Sequence, residues 1–209
     1  MKIKKKVKKT FKIVVIIILI LALLVGGYFV YKRFSTSTKP VTSKVVNEIK
    51  EYGYTLEDDA PKGYKTLFDE LTKVLNAEEV DEEAYAKLVA QMLVFDFYNL
   101  DNKVSKNDVG GTQFILSDYE KSFVYEATET VYKHIEHNIY NDRKQKLPVV
   151  TGVEIESIRT NNYNYNKLKD DKAYIVKVKV SYKENLGYPE EVTVKMLHND
   201  KKLEVFYMK

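Results

Sequence analysis

The spacing of hydrophobic positions changes repeatedly along this chain, and each change marks a boundary. Residues 13–31, IVVIIILILALLVGGYFVY, are nineteen consecutive residues without a charge. At about 1.5 Å rise per residue such a helix reaches roughly 29 Å, close to the hydrocarbon thickness of a bilayer, so the pattern predicts one transmembrane helix. The stretch exceeds the core of about 7–15 residues typical of a secretory signal, and no Ala-x-Ala type cleavage site follows it, which favours a retained anchor. Residues 32–40, KRFSTSTKP, are small and polar and end in a proline that resists helix, predicting a short linker.

From residue 41 the period becomes helical. Val41, Val45, Val46, Ile49 and Tyr52 recur at helix spacing and Gly53 stops the run, predicting a first short helix. Pro61 opens a second, with Leu67, Phe68, Leu71, Val74 and Leu75 on one face. Asp81 caps a third carrying Tyr85, Leu88, Val89, Met92, Leu93 and Leu100, the most apolar of the set. A fourth begins at the capping box Ser117-x-x-Glu120 and shows Phe123, Val124, Val131, Ile135 and Ile139, before Lys146-Leu147-Pro148 ends the helical half.

After Val149 the period switches to two. Tyr174, Val176, Val178, Val180 and Tyr182 alternate with Lys177, Lys179, Ser181 and Lys183, a strand with one packed and one solvated face. Val192, Val194, Met196 and Leu203, Val205, Tyr207 repeat it across residues 198–202, which read as a hairpin turn. Val149 to Ile158 supplies another strand, in which Ile155 and Ile158 fall out of step and predict a bulge. Residues 160–172, TNNYNYNKLKDDK, read as a long polar loop offering Tyr163 and Tyr165 to a partner. The expected fold class is α+β: after the transmembrane helix, about four helices pack on a four-stranded antiparallel sheet.

Charge divides at the membrane segment. Residues 1–33 carry eight lysines and one arginine with no acid, a net +9; residues 34–209 then hold 25 basic against 30 acidic residues, a net −5. The larger cationic cluster predicts that residues 1–12 are a cytoplasmic tail against anionic headgroups and that residues 41–209 form an extracytoplasmic domain in the cell membrane's outer vicinity. The basic balance of the whole chain thus belongs to the anchor, and the exterior domain gives no reason to expect a nucleic-acid partner. Cysteine is absent, so neither disulfides nor thiolate chemistry is available.

Catalytic signatures are sparse. His134 and His137 lie three apart with Glu136 between them, but no His-Glu-x-x-His pattern occurs and a solvated helix face accounts for them. Residues 101–108 lack the ligand alternation of a calcium loop. Asp58 with Asp59, and Glu190 with Glu191, are adjacent and so point apart, and no Gly-x-Ser-x-Gly, phosphate-loop or dinucleotide glycine pattern is present. No metal or cofactor is expected. The segment Asp96–Phe114, DFYNLDNKVSKNDVGGTQF, crowds aromatics, acids, amides and two glycines between the longest helices. Asp96, Tyr98, Asp108, Gly110, Gly111 and Phe114 are its candidate ligand or partner contacts. The same glycines would also serve a helix stop followed by an extended stretch, Thr112–Leu116, laid over the sheet edge.

Helices followed by a meander, in AYIVKVKVSYK, EEVTVKML and KLEVFYM behind a single anchor, resemble membrane-anchored members of the nuclear transport factor two-like (cystatin-like) superfamily. The resemblance covers residues 60–209 and implies a scaffold component of a secretion machine or a small pocket protein; it carries no functional residue. The reading is a noncatalytic extracytoplasmic interaction or scaffold domain of a bacterial envelope, docking on other envelope proteins or on itself. The alternative is a ligand pocket between helices and sheet, lined by Phe95, Phe97, Tyr98, Phe114 and Tyr174. A third reading is a hydrolase or isomerase using Asp96 or Asp118.

Overall fold

A computed structural model describes residues 20–27, 42–165 and 168–209. The chain divides into two units, Met1–Pro40 and Val41–Lys209. In the first, residues 20–27 are helical and their apolar side chains, Leu23 and Leu24 among them, are exposed. Among the described residues no helix is long and apolar enough to cross a membrane. The basic tail, residues 13–19 and 28–31 of the expected transmembrane segment, and the linker lie outside the described residues.

The second unit is α+β. It runs β1 (Val45–Ile49), β2 (Tyr54–Glu57), α1 (Lys62–Leu75), α2 (Glu82–Tyr98), α3 (Ser117–Glu129), β3 (Val150–Tyr165), β4 (Leu168–Tyr182), β5 (Glu191–Asn199) and β6 (Lys202–Met208). The last four strands form one antiparallel meander in chain order, and β1–β2 is a separate hairpin. The period-two stretches became strands because their alternate residues, Val176, Val178, Val180, Val192, Val194 and Met196, fill the core while Lys177 and Lys179 face water. The expected bulge is present as a register shift between Ile155 and Ser157. The β5–β6 turn closes over Asp200, whose φ of 53° is the left-handed geometry a tight hairpin requires.

The expected first helix is instead the hairpin β1–β2, pairing Asn47 with Leu56 and Ile49 with Tyr54. Val45, Val46 and Ile49 are β-branched and lose rotamer freedom in a helix, and Gly53 supplies a φ of 66° for the turn rather than a helix stop. Of the five residues that suggested a helix face, Ile49 alone among those described is fully buried; Val45 and Val46 are 58% and 59% exposed. Burial of Tyr54 and Leu56 on β2 stabilises the hairpin.

Asp81 does cap α2, its side chain accepting from the Ala84 N–H at 3.0 Å. The Ser117 capping box does not form: Leu116 occupies the N-cap and Ser117 starts the helix. Leu116 donates its N–H to the Val205 carbonyl at 2.8 Å, and Ile115 bridges Val205, so the chain is pinned to the β6 edge immediately before α3 begins. Of the extended segment Thr112–Leu116 expected over the sheet edge, only Ile115 and Leu116 are extended; Thr112–Phe114 form a 3-10 turn that follows the left-handed Gly111. The helix also ends at Glu129 rather than near Ile139. Thr128 and Thr130 hydroxyls donate back to the Tyr125 and Glu126 carbonyls at 2.9 and 2.6 Å, competing with the helical ladder, and Tyr132 turns into the core.

The expected loop 160–172 is the far end of a long hairpin, with Tyr163 paired to Asp170 and Tyr165 to Leu168. Sequence polarity suggested a loop, but two anchors hold it as strand. Tyr163 stacks on Phe206 of β6 with ring centroids 4.1 Å apart. Asp170 accepts from the His198 N–H at 2.7 Å and contacts its Nδ1 at 2.8 Å, while Glu82 lies 3.4 Å from Nε2. Burial alone would raise the Asp170 carboxyl, but the His198 and Lys172 backbone N–H groups and the imidazole outweigh it and hold it below the usual aspartate range.

A buried tyrosine pair ties the hairpin to the rest. Tyr54 and Tyr85 hydroxyls lie 2.7 Å apart, and Tyr85 accepts from the Leu203 N–H at 3.0 Å, joining β2, α2 and β6. Burial pushes the Tyr85 hydroxyl up to about 12 and Tyr54 higher still, so both stay protonated donors.

Candidate functional site

The end of α2 builds the site. Asn99 is buried and uses both ends of its amide, Oδ1 accepting from the Val150 N–H at 2.9 Å and Nδ2 donating to Asn102 at 3.0 Å. That stops the helix at Tyr98 and folds residues 100–102 into a 3-10 turn, which brings Lys103 back alongside α2. Its ammonium meets Asp96 Oδ1 at 2.5 Å; the Lys103 side chain is 7% exposed and that of Asp96 25%. Arg143 fixes the turn from below, donating to the Lys103 and Asp101 carbonyls at 2.8 and 2.6 Å.

The glycine pair then returns the chain to α2. Gly111 donates its N–H to Asp96 Oδ2 at 2.7 Å and takes a φ of 76°. A Cβ at Gly110 would sit 2.3 Å from the Asp96 carbonyl oxygen, and one at Gly111 would sit 2.4 Å from Leu93 Cδ1. Close approach therefore demands both glycines. Gly110 donates to the buried Tyr132 hydroxyl at 3.1 Å, and Tyr132 donates to the Phe97 carbonyl at 2.7 Å, satisfying an orphan oxygen at the helix end. Val104 N–H is held by Asp108 at 2.8 Å, closing the loop on itself.

Opposite this loop stands β2. The Gln113 amide behaves like a strand neighbour: its oxygen accepts from the Thr55 N–H at 2.8 Å, and its nitrogen donates to the Thr55 carbonyl at 3.3 Å and the Tyr64 hydroxyl at 3.0 Å. Between β2, the start of α1 and the loop lies a cavity of about 600 Å³. Its lining includes Thr55, Glu57, Asp59, Tyr64, Asp96, Lys103, Asp108, Gly110, Gly111 and Gln113. Four carboxylates face one cation, which Asp96 already binds. Burial, then the Asp96 carboxylate, raises the Tyr64 hydroxyl well above its ordinary value, so it stays protonated.

Of the candidate residues, the structure brings Asp96, Asp108, Gly110 and Gly111 together in this lining. Tyr98 and Phe114 are buried core residues; Tyr163 packs on Phe206, and Tyr165 ends β3. Phe95, Phe97 and Tyr174 are also core, so the space expected for a pocket between helices and sheet is filled by side chains. Asp118 is exposed on the first turn of α3. Sequence reasoning missed Lys103, Tyr64, Gln113, Glu57 and Asp59. Gln113 lies inside the suspect segment, but its partners are 49 and 58 residues away and no local signal links them.

Comparison with known proteins gives no relative. No family model, curated protein or solved structure matches the chain. The cavity must therefore be interpreted from its own chemistry.

Proposed function

We propose that residues 41–209 form a noncatalytic extracytoplasmic interaction domain, held at a bacterial cell membrane by an anchor helix at residues 13–31 with the basic tail in the cytoplasm. One observation carries this reading: the cleft of about 600 Å³ is bounded by a strand edge, and its polar wall is already braced by internal hydrogen bonds. Asp96 is engaged by Lys103 and the Gly111 N–H, and Asp118 stands exposed on the first turn of α3 away from the cleft lining. A braced cleft beside a strand is suited to recognition. Exposed Val45 and Val46 on the adjacent strand extend the contact surface with apolar area. The helices followed by a meander resemble the nuclear transport factor two-like superfamily, which commonly also places strands between its early helices, and its scaffold members motivate the same proposal.

A second reading, a receptor for a small ligand, is favoured by the cavity volume, which lies in the range of about 300–1,000 Å³ usual for such sites. Crosslinking in intact membranes, followed by mass spectrometry of captured species, separates the two. The interaction reading expects oligomers or envelope partners; capture of monomer alone overturns it. Protease accessibility in spheroplasts checks the topology, with residues 41–209 cleaved from outside.

A further inference from the structure

The cavity holds a surplus of negative charge and one unused donor. Among the described residues Glu57, Asp59 and Asp108 form no ion pair, and Lys103, the cation in the lining, is committed to Asp96. Tyr64 is 5% exposed; its oxygen accepts from Gln113, and its hydroxyl hydrogen meets no acceptor among the described residues. Burial keeps that hydroxyl protonated, and it borders the open space of the cavity, so its hydrogen is available to an occupant of the cleft. The wall is also strand-like. Gln113 takes both main-chain groups of Thr55, so that edge of β2 faces the cavity, and the two-residue period places Glu57 on the same side, followed by Asp59 in the turn.

We propose that this cavity receives an extended, lysine- or arginine-bearing segment of a partner protein. Its cation sits among Glu57, Asp59 and Asp108, and one of its carbonyl oxygens accepts from the Tyr64 hydroxyl. This rests on the interaction reading above and names the chemistry of the partner. A cation answers the uncompensated carboxylates, and a carbonyl answers the buried donor; a peptide carries both at fixed spacing, whereas a free amine carries only the first.

The test uses the full-length chain in nanodiscs and isothermal titration with an acetylated, amidated pentapeptide alternating threonine and lysine. Controls are the same peptide with norleucine for lysine, and spermidine. The proposal expects saturable binding of the lysine peptide, weakened about tenfold or more by norleucine and by the double variant E57Q/D59N. Tyr64→Phe should weaken the peptide but leave spermidine unchanged. Glu57 and Asp59 are exposed, so their substitution leaves packing intact even where Y64F proves unstable. Absence of saturable binding at about 5 mM peptide, binding indifferent to charge, or spermidine binding as tightly as the peptide each overturns it. The two proposals fail separately. Partner capture in membranes that is unchanged by E57Q/D59N removes the basic segment and keeps the interaction domain. Charge-dependent peptide binding with monomer-only crosslinking does the reverse.

Discussion

Asp96→Asn gives the sharpest check on how this site is held. The substitution keeps an oxygen for the Gly111 N–H, 2.7 Å away, but removes the charge facing Lys103 at 2.5 Å. Breaking a fully buried pair by deleting one partner costs about 3–5 kcal/mol, because a desolvated charge is left alone. Here Lys103 is 7% exposed and Asp96 25%, so water screens one side only and about 2–3 kcal/mol is expected. The strength of the argument lies in the second substitution. Lys103→Met fills the same volume without a charge, so D96N/K103M should return to within about 1 kcal/mol of wild type, although D96N alone does not. Urea unfolding followed by circular dichroism, run on all four members of the cycle, reads this directly as a midpoint shift at constant slope. A double variant as unstable as D96N would refute the assignment of the cost to an orphaned ammonium. So would a D96N cost below about 0.5 kcal/mol, the level of a surface pair.

Other substitutions test separate parts of the same framework. Tyr132→Phe strips the Gly110 N–H and the Phe97 carbonyl of their shared buried partner, and should cost about 2–4 kcal/mol in urea unfolding, against less than 1 for an exposed tyrosine such as Tyr125. Gly110→Ala places a methyl 2.3 Å from backbone oxygen, whereas Gly187→Ala meets nothing within 4 Å and only its φ of 80° is unfavourable. The first should exceed the second, about 1 kcal/mol, by a clear margin, and equal melting shifts would sink the close-approach argument. The Asp170 carboxyl, held below its ordinary range, contributes stability that is present above the unfolded-state value near about 3.9 and is lost as pH falls through the folded value. The stability gap between wild type and Asp170→Asn should therefore narrow from about pH 4 downward; a gap unchanged to pH 2 contradicts it.

Sequence alone determined whatever depends on neighbours a few residues apart. The period-two stretches of 174–182, 192–196 and 203–207 became strands because each already carries a complete apolar face, and α1 followed from the same logic at helical spacing, whereas α2 is apolar and buried nearly all round. Asp81 as a cap, and the need for glycine at 110 and 111, were likewise legible, since helix ends and close approaches demand particular residue types. Tertiary structure decided where local signals competed. Val45 and Ile49 satisfy both periods, and only the burial of Tyr54 and Leu56, with Tyr54 hydrogen-bonded to Tyr85 of α2 and Leu203 of β6, selected the strand. Residues 160–172 are polar enough for a loop, but Tyr163 on Phe206 and Asp170 on His198 hold them in a ladder. The cavity belongs wholly to that second class. Asp96, Lys103 and the glycines lie within one suspect segment, but Glu57, Asp59 and Tyr64 reach them through chain reversals that no periodicity encodes. A site made of charges converging from separate elements exists only once the core has brought those elements together.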